Sequence, residues 1–414
     1  MPLALLIILI LALLGHKKVR QGIMMRWPKN NFHPWFDLPK RKKPIWIHCS
    51  SGEFEYAKPL ISKIKKQQPD WKILVTYFSP TYKKNIENFP GVDLSCPLPW
   101  DLPGAMSSFI KHHNPKAVLV ARTDLWPEML YQCKIRNIPS TIFSMTLSQP
   151  KKSIFKLYWH WLYHQFSLIF CVSQDDKNNL LDSGAGLVQV IGDTRYDQVF
   201  ARLENPKPLK NLFGLHSSRI CFIAGSTWSE DEKVILNSCH NFINNGKMKL
   251  IIAPHEPTES HLTDLTNQIK KLGLNYQFYS ESSSWHEENV LIIDKVGILA
   301  ELYKVSDMAF IGGSFKKSVH SVMEALATGC IVFVGPFHSN NREALEFKNI
   351  TLETASQLNI VNTVSDQEEF SRKIHKAIES GANANDIKLE INSLIKNKMG
   401  ATEKLLTWLE SIEN

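Results

Sequence analysis

A chain of 414 residues is too long for one hydrophobic core, so two domains are expected. Its seven cysteines are odd in number, scattered and never form a C-x-x-C pair, a pattern that suggests neither a disulfide framework nor a structural zinc site and points to a reducing cytosol. The formal net charge of +8 is local: nine bases face the single acid Asp37 between residues 17 and 43, and nine minus one accounts for the whole excess.

The chain opens on LALLIILILALL, Leu3 to Leu14, an apolar run short of the roughly 20 residues a spanning helix needs. The positive charge follows this run, opposite to a secretory signal, and holds what comes next in the cytoplasm. The run reads as a membrane anchor or shallowly inserted helix; a buried N-terminal helix is the alternative. Lys17, Lys18, Arg20, Arg26 and Trp27 begin a basic, aromatic stretch suited to anionic head groups of inner-membrane lipids. A solvated linker is the plainer reading of that stretch. Nucleic acid is not the expected partner, because it leaves the apolar run without a role.

From Pro44 onward short apolar runs alternate with helical patterns: IWIH, KILVTYF, KAVLVA, STIFSM, LIFCV and VQVIG are predicted strands. Near-continuous apolar strands separated by helices are what a parallel sheet covered on both faces requires. The aromatic stretch Ser153 to Phe166 reads as a helix of core or lipid-facing type, and its His160 and His164 lack a third metal ligand. Residues 205–210, rich in proline and lysine, are predicted to link domains 44–204 and 211–364. ICFIAGS, KLIIAP, VLIID, MAFIGGS and CIVFVG restart the alternation, and residues 365–414 read as helices. Two doubly wound domains of this kind face a cleft at the carboxyl ends of their strands.

Three strand-to-helix turns of the second domain share one chemistry of glycine or small hydroxyl residues before a helix: the one holding Gly225-Ser226-Thr227, APHEPTES from Ala253 to Ser260 with Pro254 and His255, and the one holding Gly312-Gly313-Ser314. Such turns let backbone N–H groups approach a phosphate at a helix N-terminus, so together they predict a nucleotide phosphate site. Neither a Walker pattern nor G-x-G-x-x-G is present. His320 and Glu324, four residues apart, are predicted on one helix face, the histidine toward phosphate and the carboxylate toward ribose hydroxyls.

IHCSSGEFEY, TDLWPEML, GDTRYD, FIAGSTWSEDE, IIAPHEP, MAFIGGS, HSVMEALATG and GPFHSNNREAL occur in the order seen in another group of proteins. Over roughly residues 1 to 350 the chain resembles the 3-deoxy-D-manno-octulosonic acid (Kdo) transferases of lipopolysaccharide synthesis. The resemblance implies a GT-B glycosyltransferase fold on the cytoplasmic face of the inner membrane. It implies inverting, metal-independent transfer of Kdo from CMP-Kdo to a lipid A precursor, with no further cofactor. Glu53, in Ser50-Ser51-Gly52-Glu53, takes the family's catalytic glutamate position and would accept the proton of the attacking hydroxyl. The positive end of the helix dipole favours negative charge there, and alignment of the acceptor must supply much of the rate.

By the same carry-over Arg122, Asp124 and Trp126 shape the acceptor side. Gly225, Ser226, Thr227, Pro254, His255, Gly312, Gly313, Ser314, His320, Glu324, Asn340 and Glu343 form the donor side. Two positions depart from the family. Pro254-His255-Glu256 stands where many members carry Pro-Arg-His, and Ser321 replaces the usual Asn after the motif histidine. Two other readings stay open: a GT-B enzyme using a UDP-sugar, and a lipid-binding scaffold without catalysis.

Overall fold

The computed structural model describes residues 17–26, 43–151, 155–204, 206–209, 220–281, 285 and 289–412. The apolar run Leu3–Leu14, Trp27, linker residues 205 and 210 and the side chain of Lys18 lie outside the described residues. Among those described, no helix is long and apolar enough to cross a membrane.

The chain forms two compact units, residues 1–198 with 398–414 and residues 199–397. This differs from the predicted boundaries at both ends of the second domain. The helix Thr194–Glu204 runs through the first boundary, where a proline-rich linker was expected a few residues later. The last helix, Ala401–Ser411, belongs to unit one, because Leu405, Leu406 and Leu409 complete the same core as Ile61 and Ile64. Asp197 fixes its start by accepting the N–H groups of Gly400 and Thr402, both at 2.8 Å.

Unit one holds a parallel sheet of β1 (Ile45–His48), β2 (Ile73–Tyr77), β3 (Leu94–Pro97), β4 (Ala117–Ala121), β5 (Ser140–Met145), β6 (Leu168–Cys171) and β7 (Val188–Val190), in the order β3-β2-β1-β4-β5-β6-β7. Every residue of β1, β2, β4 and β5 is buried, which fits their largely apolar sequences. β1 feeds the helix Phe54–Gln67, whose Phe54, Ala57, Leu60, Ile61 and Ile64 recur at helical spacing and cover one sheet face. The opposite face packs Trp46, Val118, Phe109 and Leu130.

Unit two repeats the plan with β8 (Ile220–Thr227), β9 (Met248–Pro254), β10 (Tyr276–Phe278), β11 (Val290–Ile292), β12 (Met308–Ile311), β13 (Ile331–Val334) and β14 (Val361–Thr363), in the order β10-β11-β9-β8-β12-β13-β14. β8 and β12 lie side by side at its centre. Their C-terminal turns bring the Gly225 and Gly312 motifs together, as the two-domain α/β expectation requires.

Candidate functional site

In unit one the site is built on the C-terminal end of β1. His48, the last β1 residue, is fully buried; its Nδ1 bonds the Thr76 hydroxyl at 2.9 Å and its ring lies edge-on to Trp126. Burial first, and then the positive charge of Arg26, pulls its pKa down to about 3, so it is a neutral strut. The chain then turns through Ser50-Ser51-Gly52. Asp124, after β4, accepts the Ser50 N–H at 3.0 Å and braces that turn.

Glu53 sits at the N-cap of the helix Phe54–Gln67, half-buried, and its Oε2 accepts the N–H of Ser51 at 2.8 Å. This bond fixes the carboxylate on its own loop and leaves Oε1 without a partner among the described residues. Burial, with the nearby Glu53 charge adding to it, raises the Asp124 pKa. The loop therefore presents one anchored carboxylate with an open oxygen, beside a second carboxylate that is harder to ionise.

Arg122 follows β4 in the left-handed region (φ 65°) and donates to the Tyr56 hydroxyl at 2.5 Å. Arg195 lies over the same tyrosine ring, so two guanidinium groups share one aromatic support. Arg195 and Tyr56 were not singled out from the sequence, although GDTRYD contains the first.

In unit two the backbone of Ser226 (φ 54°) bulges the β8 pairing with β9. A Cβ on Gly312 would stand 2.2 Å from the Ser226 carbonyl oxygen, and one on Gly225 would stand 2.1 Å from the Tyr303 hydroxyl. Glycine is required at both places by these close approaches. Burial, and then the charge of Glu324, drives the Tyr303 pKa well up.

The Gly312-Gly313-Ser314 turn does not offer its N–H groups freely. Asp231, buried at the start of the helix Ser229–Asn244, accepts Trp228 N–H (3.0 Å), Gly313 N–H (2.7 Å) and Phe315 N–H (2.9 Å). The expectation that this turn cradles a phosphate with its own amides is corrected: those of Gly313 and Phe315 are spent on Asp231. Thr227 is likewise turned inward, donating to the buried Glu232 at 2.7 Å, which also meets His261 Nε2 at 3.0 Å. Ser314 is fully buried and links the Ile311 carbonyl to the Gly335 N–H. Asn340 holds the Val319 backbone through both ends of its amide. Pro254 is buried at the end of β9, and Glu343 is 6% exposed.

His320 and Glu324 do not share a helix. The helix spans Met323–Ala327 only, and His320 lies in the irregular segment before it, held by its N–H to Gly312 O at 3.1 Å. What the sequence did not reveal is a ring column. His255 stacks on His320 (centroids 4.2 Å, 17°), Trp228 packs on His255 (5.2 Å), and Lys316 Nζ lies 3.4 Å from the Trp228 centroid. His320 Nε2 is buried without a partner, and burial first, then His255, lowers the His320 pKa. The Ser321 hydroxyl donates to Glu324 Oε2 at 2.7 Å, so that departure from the family still supports the carboxylate.

Arg26 is not a surface group. It is 3% exposed, with Nε donating to Leu98 O (2.8 Å), Nη2 to Phe78 O (2.9 Å) and the guanidinium 4.2 Å above the Phe78 ring. The expected lipid contact is corrected there: the unpaired carbonyls after β2 and β3 attract the guanidinium inward. Lys17 and Arg20 are exposed on the helix Lys17–Met24.

Two parallel-sheet α/β units with motif-bearing turns at central strand ends define the class of protein built like GT-B glycosyltransferases. A glycosyltransferase from Rickettsia africae superposes with a TM-score of 0.58 at 14% identity, over 90% of this chain and 99% of that one. A UDP-GlcNAc 2-epimerase from Neisseria meningitidis bound to UDP-GlcNAc gives 0.60 at 16%, over 89% and 100%. These likenesses establish the fold alone. Residues 25–198 match the family described as 3-deoxy-D-manno-octulosonic-acid transferase (Kdo transferase). The 3-deoxy-D-manno-octulosonic acid transferase of Haemophilus influenzae is 28% identical over 385 residues, 88% of this chain and 86% of that protein. That of Aquifex aeolicus is 26% identical over 352 residues, 83% and 91%. The chain is similar to the Kdo transferases over most of its length.

Proposed function

We propose that the protein is an inverting glycosyltransferase that moves Kdo from CMP-Kdo to a lipid A precursor in lipopolysaccharide synthesis. The observation that carries this reading is Glu53: a carboxylate pinned by one oxygen to its own turn, with the other oxygen open, at the family's catalytic position. The acceptor hydroxyl attacks the anomeric carbon of Kdo, its proton passes to Glu53, and the bond from that carbon to the CMP phosphate oxygen breaks. CMP leaves carrying the electron pair, and positioned donors stabilise the growing charge. His320, His255 and Lys316 are the donors the second unit supplies for that task, while Glu324 is suited to ribose hydroxyls.

The ring column supports a donor site of altered chemistry, in which stacked imidazoles replace the arginine found in many relatives. Attachment to the cytoplasmic face of the inner membrane through residues 1–43 belongs to the same reading; the exposed Lys17 and Arg20 fit it. The test is CMP release from CMP-Kdo by detergent-solubilised protein with and without the tetraacylated disaccharide. Acceptor-dependent release supports the reading. Release with a UDP-sugar alone, or none while both ligands bind, rejects it in favour of another sugar donor or a non-catalytic scaffold.

A further inference from the structure

The first turn of the helix Ser229–Asn244 carries two adjacent acids, Asp231 and Glu232, and both are 0% exposed. Asp231 fastens the Gly312 turn by accepting from Gly313 and Phe315. Glu232 faces away from that turn, and nothing in the proposed chemistry uses it. A carboxylate taken wholly out of water stays there only where donors and a compensating proton or cation meet it.

His261, in the first turn of the helix Glu259–Lys271 with its side chain 11% exposed, is that compensating group. Its Nε2 lies 3.0 Å from both oxygens of Glu232, and its Nδ1 lies 3.2 Å from the carbonyl oxygen of Glu256. A carbonyl oxygen only accepts, so Nδ1 carries a hydrogen. Without a further proton, Nε2 would then turn its lone pair toward two carboxylate oxygens. The contact therefore holds a second proton between Nε2 and the carboxylate, while Glu232 Oε1 also accepts the Thr227 hydroxyl at 2.7 Å.

These bonds converge on His255. Its backbone N–H donates to the Thr227 carbonyl at 2.9 Å, and the next carbonyl along the chain, that of Glu256, is the one His261 holds. The backbone on both sides of the His255 side chain is thus tied back to Glu232, once through Thr227 and once through His261. The imidazole so held is the middle ring of the column, between Trp228 at 5.2 Å and His320 at 4.2 Å.

We propose that Glu232 and His261 are a positioning pair, a proton-bridged clamp that sets where His255 stands at the donor site. The proposal rests on the transferase reading, in which His255 meets the phosphate of CMP-Kdo. The clamp needs its hydrogen bonds and not its charges. In Glu232→Gln the amide oxygen still accepts from Thr227, and the amide N–H donates to Nε2 of a neutral His261 that keeps its Nδ1 hydrogen. His261→Phe keeps a ring of similar size and loses both bonds.

The test measures CMP affinity by calorimetry for wild type, His261→Phe and Glu232→Gln, with proton and nitrogen NMR of the histidine rings alongside. His261→Phe is expected to bind CMP about tenfold more weakly, and Glu232→Gln to bind it as wild type does. In turnover the KM for CMP-Kdo rises in His261→Phe, while the acceptor KM stays the same. The spectra should show hydrogen on His261 Nδ1 in wild type, and His255 ring signals that move in His261→Phe but not in Glu232→Gln. A folded His261→Phe with wild-type CMP affinity overturns the clamp, as does a bare His261 Nδ1 in wild type. Glu232→Gln as weak as His261→Phe does so too, because the charge would then matter and not the bonds. Should His261→Phe fail to fold, Glu232→Gln and the wild-type spectra decide on the same terms. If wild type binds no CMP, the transferase reading falls, and the clamp is decided by the His255 signals: moved in His261→Phe they uphold it, unmoved they overturn it.

Discussion

The Asp231 carboxylate accepts the backbone N–H of Gly313 at 2.7 Å, so a glycine turn that looks free in sequence is fastened from below by an acid of another helix. Asp231 also holds Trp228 and Phe315, and it therefore sets the shape of the surface on which His255, His320 and Lys316 gather. Asp231→Asn keeps the size but only one accepting oxygen, and at least one of the three N–H groups loses its partner. Urea unfolding should show unit two weakened by about 1–3 kcal/mol, with CMP affinity falling in parallel.

Close backbone approach predicts unequal costs for two glycines. At Gly312 the new Cβ meets backbone atoms of Ser226 and Thr227, which cannot move without parting β8 from β12. Gly312→Ala should lose CMP binding and soluble expression. At Gly225 the nearest atom is the end of the Tyr303 side chain, so Gly225→Ala should be partly rescued by Tyr303→Phe. A double-mutant cycle in urea should show a coupling of roughly 1 kcal/mol.

Arg26 separates stability from lipid contact. Arg26→Ala removes charged donors from buried carbonyls and should cost unit one roughly 2–4 kcal/mol by denaturant titration, leaving vesicle binding unchanged. Lys17→Ala and Arg20→Ala should do the reverse: no change in stability, and binding to anionic vesicles weakened about fivefold each.

Acid should unfold the protein partly through His48. Its folded pKa, about 3, lies below the ordinary 6.5, so between these values the unfolded chain binds the proton first. The stability His48 contributes is complete above pH 6.5 and is lost progressively as pH falls toward 3. Unfolding midpoints taken from pH 7 to pH 4 should drop steeply in wild type and less steeply in His48→Gln, even though that variant starts lower.

The central strands were legible because strands buried on both faces must be written in apolar residues, as IWIH and MAFIGGS are. The edge strands β3, β10 and β14 were not, since LSCP, YQF and VNT are short and carry prolines or polar residues that an edge tolerates. Glu53 was singled out from its motif, and its place in the turn between β1 and the next helix is the one the strand-to-helix pattern predicted. The ring column was missed because Trp228, His255, Lys316 and His320 come from three separate turns, and no spacing along the chain encodes their meeting. Asp231 had a signal: an acid in the first turn of a helix after a Gly-Ser bend is a capping position, and the run SEDE contains it. The short helix Met323–Ala327 overturned the pairing of His320 with Glu324, because four-residue spacing means one face only where a helix exists.

The most direct measurement is CMP release from CMP-Kdo in the presence of the tetraacylated disaccharide, for wild type and Glu53→Gln, with CMP affinity measured alongside. Loss of a positioned general base should lower acceptor-dependent release by about 10²–10⁴-fold while CMP binds as before. Release that is undiminished in Glu53→Gln would contradict the assignment of Glu53 as the base.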